Sequence, residues 1–204
     1  MRTYGQYCGL ARGLDAVGDR WVLLIVRELL NGPRRYGELY DGLPGIATNL
    51  LADRLKTLQE RGVVERDPDD RYALTEWGEG LRDIVFAIGR WARPLMREIA
   101  ANDSWRSHWI AYPVAGMFPG VDPSRAELTI EIRCDDEPMT IVSTEGKVSV
   151  EPGTAAAPDI VLTGPPDAML ALLSHAIDAK EARARGLAVT GDSRLLRRLK
   201  PVGT

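Results

Sequence analysis

Apolar residues recur at helical spacing through the first half of the chain and at strand spacing through much of the second. Leu10, Leu14 and Val17 stand at i, i+4 and i+7 and predict a short helix. Gly18 ends it, and Asp19 is placed to cap the next. That helix, over about 20–30, carries Val22, Leu23, Ile25, Val26, Leu29 and Leu30; it is apolar around most of its girth, which predicts the buried centre of its domain. Asn31-Gly32-Pro33 stops it, a short helix over 35–40 turns Leu39 inward, and Gly42-Leu43-Pro44-Gly45 is turn chemistry. Thr48 is then placed to cap a helix reaching about residue 61, where Gly62 stops it. Strands at 63–66 and 71–74 flank the turn Asp67-Pro68-Asp69-Asp70. Thr75 opens a long helix with Leu81, Ile84, Val85, Ile88, Trp91, Leu95 and Ile99, which Pro94 must kink or restart.

Pro113, Pro119, Pro123, Gly116 and Gly120 mark a connector over 103–125. Beyond it the period drops to two: Leu128, Ile130 and Ile132 share one face, Thr129, Glu131 and Arg133 the other. Further strands are expected at 139–143, 147–151 and 159–162. Pro165-Pro166-Asp167 opens an apolar helix, a shorter helix covers 179–185, a strand 187–189, and a last helix starts at Asp192. The chain thus reads as α+β, with an α-rich domain over 1–102, the connector, and an α+β domain over 126–204.

Helix, turn, helix and hairpin, in that order, make a winged helix-turn-helix, whose second helix enters the major groove. At about 100° per residue, Leu51, Leu55 and Leu58 share one stripe of the 48–61 helix, and Asn49, Ala52, Asp53 and Lys56 fall opposite. Asn49 suits an adenine edge and Lys56 a base or phosphate, while Thr48 lies at the N-terminal end that favours phosphate. Asp53 is awkward beside phosphates; it accepts from cytosine N4 or pairs with Lys56 or Arg54. Arg34 and Arg35 are placed for phosphates. Arg66 and Arg71 flank a turn with three aspartates, which disfavours deep entry of the wing and favours pairing inside it.

Bulk properties narrow the picture. The 204 residues allow two domains, and 45% hydrophobic with 27% charged residues is a globular composition. No apolar run nears the ~18 residues that span a bilayer, and the first eight residues lack a signal-peptide core, so a cytoplasmic protein is expected. A net charge of −3 does not advertise nucleic-acid binding; residues 20–61 hold seven Arg or Lys and five Asp or Glu, so any basic surface is local. Cys8 and Cys134 give neither zinc spacing nor a disulfide framework. His108 and His175 stand alone and no phosphate-binding glycine loop occurs, so no enzyme, metal or cofactor is expected.

Residues 8–92 resemble the HxlR family of winged-helix regulators. The resemblance is carried by Cys8, Val17-Gly18-Asp19-Arg20-Trp21, Leu24-Ile25-Val26-Arg27-Glu28-Leu29, Gly32-Pro33-Arg34-Arg35-Tyr36-Gly37-Glu38-Leu39, Leu43-Pro44-Gly45-Ile46, Leu51, Arg54-Leu55, Leu58, Gly62-Val63-Val64 and Tyr72-Ala73-Leu74-Thr75. Ala47-Thr48-Asn49 departs from the Ser-Pro-Lys usual there, which removes a cation near the DNA. The resemblance implies homodimers on near-palindromic duplex sites, with Ile84, Ile88, Trp91 and Leu95 as dimer surface. It also aligns Cys8 with a cysteine some members use as a redox sensor, the alternative being a plain structural cysteine.

Residues 104–204 resemble sterol-carrier (SCP-2-like) domains through Ala126 to Ile132, the strand Asp159-Ile160-Val161-Leu162-Thr163-Gly164, the helix Pro166-Asp167-Ala168-Met169-Leu170-Ala171-Leu172-Leu173, and Leu187-Ala188-Val189-Thr190-Gly191-Asp192. The resemblance implies an apolar pocket for a lipid-like molecule. Ile130, Ile132, Ile141, Met169, Leu172 and Leu173 are its candidate lining, with Trp105, Trp109, Met117 and Phe118 lining or gating it or joining the domains. A packed core with no void, and a lipid carrier whose winged helix serves protein contacts, are the rival readings.

Overall fold

The computed structural model describes residues 3–95, 103–110, 114, 118, 127–134 and 137–199. The chain divides into two units, Met1–Val85 and Phe86–Thr204. In the first, α1 (Gly9–Val17), α2 (Val22–Leu29), α3 (Tyr36–Asp41) and α4 (Thr48–Glu60) precede a hairpin of β1 (Val64–Arg66) and β2 (Tyr72–Leu74). Val22, Ile25, Val26 and Leu29 of α2, Leu39 of α3 and Leu51, Leu55 and Leu58 of α4 are almost wholly buried together with Leu43, Ile46, Val63 and Val64. Arg34 joins the wing as a one-residue third strand: its N–H donates to the Tyr72 carbonyl at 2.9 Å and its carbonyl accepts from Tyr72 at 2.8 Å.

Several boundaries differ from the sequence reading. Asp19 does not cap α2; it sits in a tight turn, its carbonyl accepting from Val22, and Trp21 takes the cap position at φ +79°. Thr48 is the first residue of α4, and Ala47, extended, occupies the cap without a side-chain bond. Thr75 does cap, accepting from Gly78 N–H at 3.0 Å, but the helix is only α5 (Glu76–Glu79). The chain turns at Gly80 and restarts as α6 (Arg82–Trp91), followed by a 3₁₀ turn at Arg93–Leu95. Gly78 explains the break: it lies so close to the Val63 carbonyl that α5 is fixed against the wing. α1 also departs from expectation. Only Ala11 is buried, and Leu10 and Leu14 are exposed, as is Leu24 of α2.

The second unit is a five-stranded sheet ordered β5-β4-β3-β6-β7, from β3 (Leu128–Arg133), β4 (Met139–Thr144), β5 (Lys147–Pro152), β6 (Ile160–Thr163) and β7 (Ala188–Gly191). β3 and β6 are parallel; the other pairs are antiparallel, with Ile130 facing Ile141 and Ile160. Leu128, Ile130, Ile132, Ile141, Ile160 and Leu162 pack under α7 (Pro166–Leu173), with Ala182 of α8 (Ala179–Ala184) in the same core. The final expected helix is a 3₁₀ segment, Ser193–Arg198, capped by Asp192. The chain passing from edge strand β5 to β6 has to cross β4 and β3. It does so over the polar face, where Thr140 donates to the Gly153 carbonyl at 2.9 Å and Ala155 N–H donates to Glu131 at 3.0 Å. Glu131 is therefore buried, although its alternation marks the non-core face.

Candidate nucleic-acid interface and associated surfaces

α4 presents two chemically distinct sides. Leu51, Leu55 and Leu58 have no exposed surface, whereas Thr48, Asn49, Ala52, Asp53 and Lys56 are exposed. The Tyr36 hydroxyl donates to the Thr48 carbonyl at 2.6 Å, fixing the start of α4 against α3. Asn49 Oδ1 accepts from Leu50 N–H at 2.9 Å, and the Lys56 ammonium is 3.9 Å from Glu60 with both side chains well exposed. Arg35 is exposed at the start of α3, where its N–H donates to Glu38 at 2.6 Å; Arg34 is half-buried through its bridge to the wing.

Three of the candidate DNA-contacting arginines are engaged within the protein. Arg54 is mostly buried, donates to Asp53 at 3.0 Å and stands 3.8 Å from Asp19. Arg66 lies over the Tyr72 ring, 3.8 Å from its centre, and donates to the Tyr72 hydroxyl and to Asp70, each at 2.8 Å. Arg71 donates to Asp67 at 2.8 Å and to Asp69 at 3.0 Å. Backbone N–H donation from Arg71, with its guanidinium close by, holds the Asp67 carboxyl below its ordinary value. The wing acids thus pair with the wing cations, as their spacing suggests.

Sequence reasoning missed Glu28. It is buried in the apolar helix α2, paired with Arg27 at 2.7 Å and packed against Gly42, where a Cβ would lie 2.4 Å from its Oε2. Arg27 also reaches the Gly42 carbonyl at 3.4 Å. The signal was a lone acid in an apolar run, which by itself does not name its partner.

On α6, Ile84 and Ile88 are nearly half exposed and Trp91 is 78% exposed; Leu95, just beyond, is equally open. Cys8 is exposed at the cap position of α1, and the N–H groups of Ala11 and then Leu10 lower its thiol below the usual value. In the second unit, Phe118, Ile130, Ile132, Ile141, Met169, Leu172 and Leu173 are buried in one apolar cluster. Trp105 and Trp109 are half-buried, edge to face at 6.3 Å, and the Trp105 indole N–H is buried with no acceptor among the described residues. Met117 lies outside the described residues. A half-open cleft of about 540 Å³ between the end of α7, α8 and the 3₁₀ segment touches only Leu172 of that set; His175, Ile177, Lys180 and Arg197 are among its other walls. Among the described residues no group of three or more His, Cys, Asp or Glu could hold a metal, and no helix is long and apolar enough to cross a membrane.

A two-helix reader with an outward polar face, braced by a paired hairpin and followed by a helix-covered sheet, defines a winged helix-turn-helix regulator with an appended α+β domain. Residues 16–100 match the family model for HxlR-like helix-turn-helix proteins, and 124–202 match the SCP-2 sterol transfer family. The HTH-type transcriptional regulator YvaP of Bacillus subtilis is 40% identical over 87 residues, 40% of this chain and 81% of YvaP. The HTH-type regulator sll1512 of Synechocystis is 34% identical over 41% of this chain and 67% of its own length. YodB of Bacillus subtilis, another HTH-type transcriptional regulator, is 37% identical over 37% of this chain and 73% of its own. The chain belongs to the HxlR family of helix-turn-helix transcriptional regulators, and carries an SCP-2 domain behind the winged helix.

Proposed function

We propose that the protein is a one-component regulator that binds a near-palindromic duplex operator as a homodimer and answers to a hydrophobic, lipid-like molecule held by its second domain. The observation that carries the DNA reading is the division of α4, with Leu51, Leu55 and Leu58 buried and Asn49 and Lys56 exposed. Residues 1–102 bind DNA and dimerise, 103–125 connect, and 126–204 sense. The open apolar side chains at Ile84, Ile88, Trp91 and Leu95 support a second copy of the chain as their cover. The SCP-2 match supports a lipid-like ligand. A ligand that prefers the DNA-incompetent dimer would release the operator, making the protein a repressor. Such a regulator acts where the chromosome is, in the cytoplasm, and no catalytic step is assigned to it.

Binding to duplex fragments around its own gene, titrated against salt, tests the reading. Strong salt dependence with discrimination over random duplex is expected; its lack would favour a lipid carrier. Asn49→Ala should cost ~1–3 kcal/mol and relax preference at one base step, whereas Arg35→Ala should weaken all sequences alike and reduce the salt slope by about one. Equal behaviour of the two variants would overturn α4 as the reader.

A second reading rests on Cys8, whose exposure and lowered thiol suit a redox switch. Loss of the response to oxidants or quinones in Cys8→Ser, with DNA binding intact, is its expected signature. A full response in that variant would remove it.

A further inference from the structure

Asp53 places a carboxylate in the middle of the reading face of α4, with its side chain 66% exposed. Negative charge in a groove walled by phosphates weakens binding to every sequence, so the position asks for a compensating donor. The side chain is also held in place. Arg54 Nη1 donates to Asp53 Oδ2 at 3.0 Å. Arg54 itself is fixed: only 23% of its side chain is exposed, its Nε is buried, and that atom stands 3.8 Å from Asp19 in the turn before α2. One guanidinium thus bridges carboxylates from two elements and takes up one oxygen of Asp53. Oδ1 has no hydrogen bond among the described residues.

An ionised carboxylate only accepts. In the major groove, thymine O4 and guanine O6 and N7 are acceptors and would repel it. Adenine offers N6–H₂ but carries the N7 acceptor on the same edge, whereas cytosine offers N4–H₂ with no acceptor on its own major-groove edge. We propose that Asp53, held by Arg54, selects cytosine at one position of each half-site by accepting from its N4 amino group, and disfavours the other three bases. This rests on α4 being the groove helix. It makes Arg54 a positioning residue rather than a phosphate contact. Asn49 lies one turn earlier, about 6 Å along the helix axis, so the adenine read by Asn49 and the cytosine read by Asp53 should fall roughly two base pairs apart.

The test is selection of bound duplexes from a random pool by the full-length wild type, Asp53→Ala and Asp53→Asn, with unchanged melting as the control for folding. The wild-type motif should contain a cytosine in each half-site that Asp53→Ala no longer requires. The preference there should fall roughly tenfold, the other positions holding, while affinity for random duplex at low salt rises about threefold. Asp53→Asn, able to donate as well as accept, should admit thymine or guanine at that position. An unchanged motif in Asp53→Ala, or loss of all DNA binding by both folded variants, overturns the inference and leaves the regulator reading standing. A wild type that enriches no sequence overturns that reading, and this inference falls with it.

Discussion

Asp67 holds the wing turn together. Its Oδ1 accepts the N–H groups of Asp69 and Arg71, and its Oδ2 takes the Arg71 guanidinium. These donors favour the ionised form, so its folded pKa lies below the ordinary 3.8. The stabilisation is complete above the unfolded value and is lost as the pH falls through the depressed folded value. Amide proton shifts of Asp69 and Arg71 should therefore move together in acid, below the range of an ordinary aspartate; titration at the ordinary value would show that these donors do not hold the carboxyl. Glu131 is the second decisive residue. Its carboxylate accepts from Arg133 Nε at 2.6 Å and from Ala155 N–H, anchoring the segment that crosses the sheet. Glu131→Ala leaves those donors unmatched, and a loss of about 1–3 kcal/mol in chemical denaturation is expected. Alternation along β3 placed Glu131 on the polar face correctly; that a crossing segment covers it depends on strand order, which alternation does not encode.

At the scale of elements, α4 was legible because its leucine stripe and its stop at Gly62 are local features. The α5–α6 break was not, because its cause lies in another element. A Cβ on Gly78 would lie 2.1 Å from the Val63 carbonyl oxygen, which backbone cannot yield cheaply. Gly78→Ala should lower stability by more than about 2 kcal/mol. Gly13→Ala in α1, where a Cβ meets nothing within 4 Å, should raise it by about 0.5–1 kcal/mol. Paired thermal melts check both, and equal effects would show that α5 does not pack on the wing as described. The same logic applies to caps: Ser, Thr and Asp are good candidates by type, yet Asp19 faces Arg54 and Thr48 lies inside its helix.

At the scale of the whole molecule, the homodimer proposed above, covered at the exposed side chains of α6, predicts that Ile88→Glu shifts sedimentation from dimer to monomer and sharply weakens binding to a two-half-site operator, while the single chain keeps its helix content. An unchanged dimer would move the interface elsewhere, with the exposed Leu10 and Leu14 of α1 the next surface to vary. What the sequence determined by itself is the helix–helix–hairpin order of the first half, the class of each half and the polar identity of the α4 face. Those follow from spacing and turn chemistry within a few residues. The tertiary structure alone decided that α1 turns its leucines outward, that Glu28 and Glu131 are buried, and that Arg54 bends back to Asp19 and Asp53. Each of those outcomes depends on a neighbour brought close by folding, and a charged or apolar side chain acquires its energetic meaning only when that neighbour is in place.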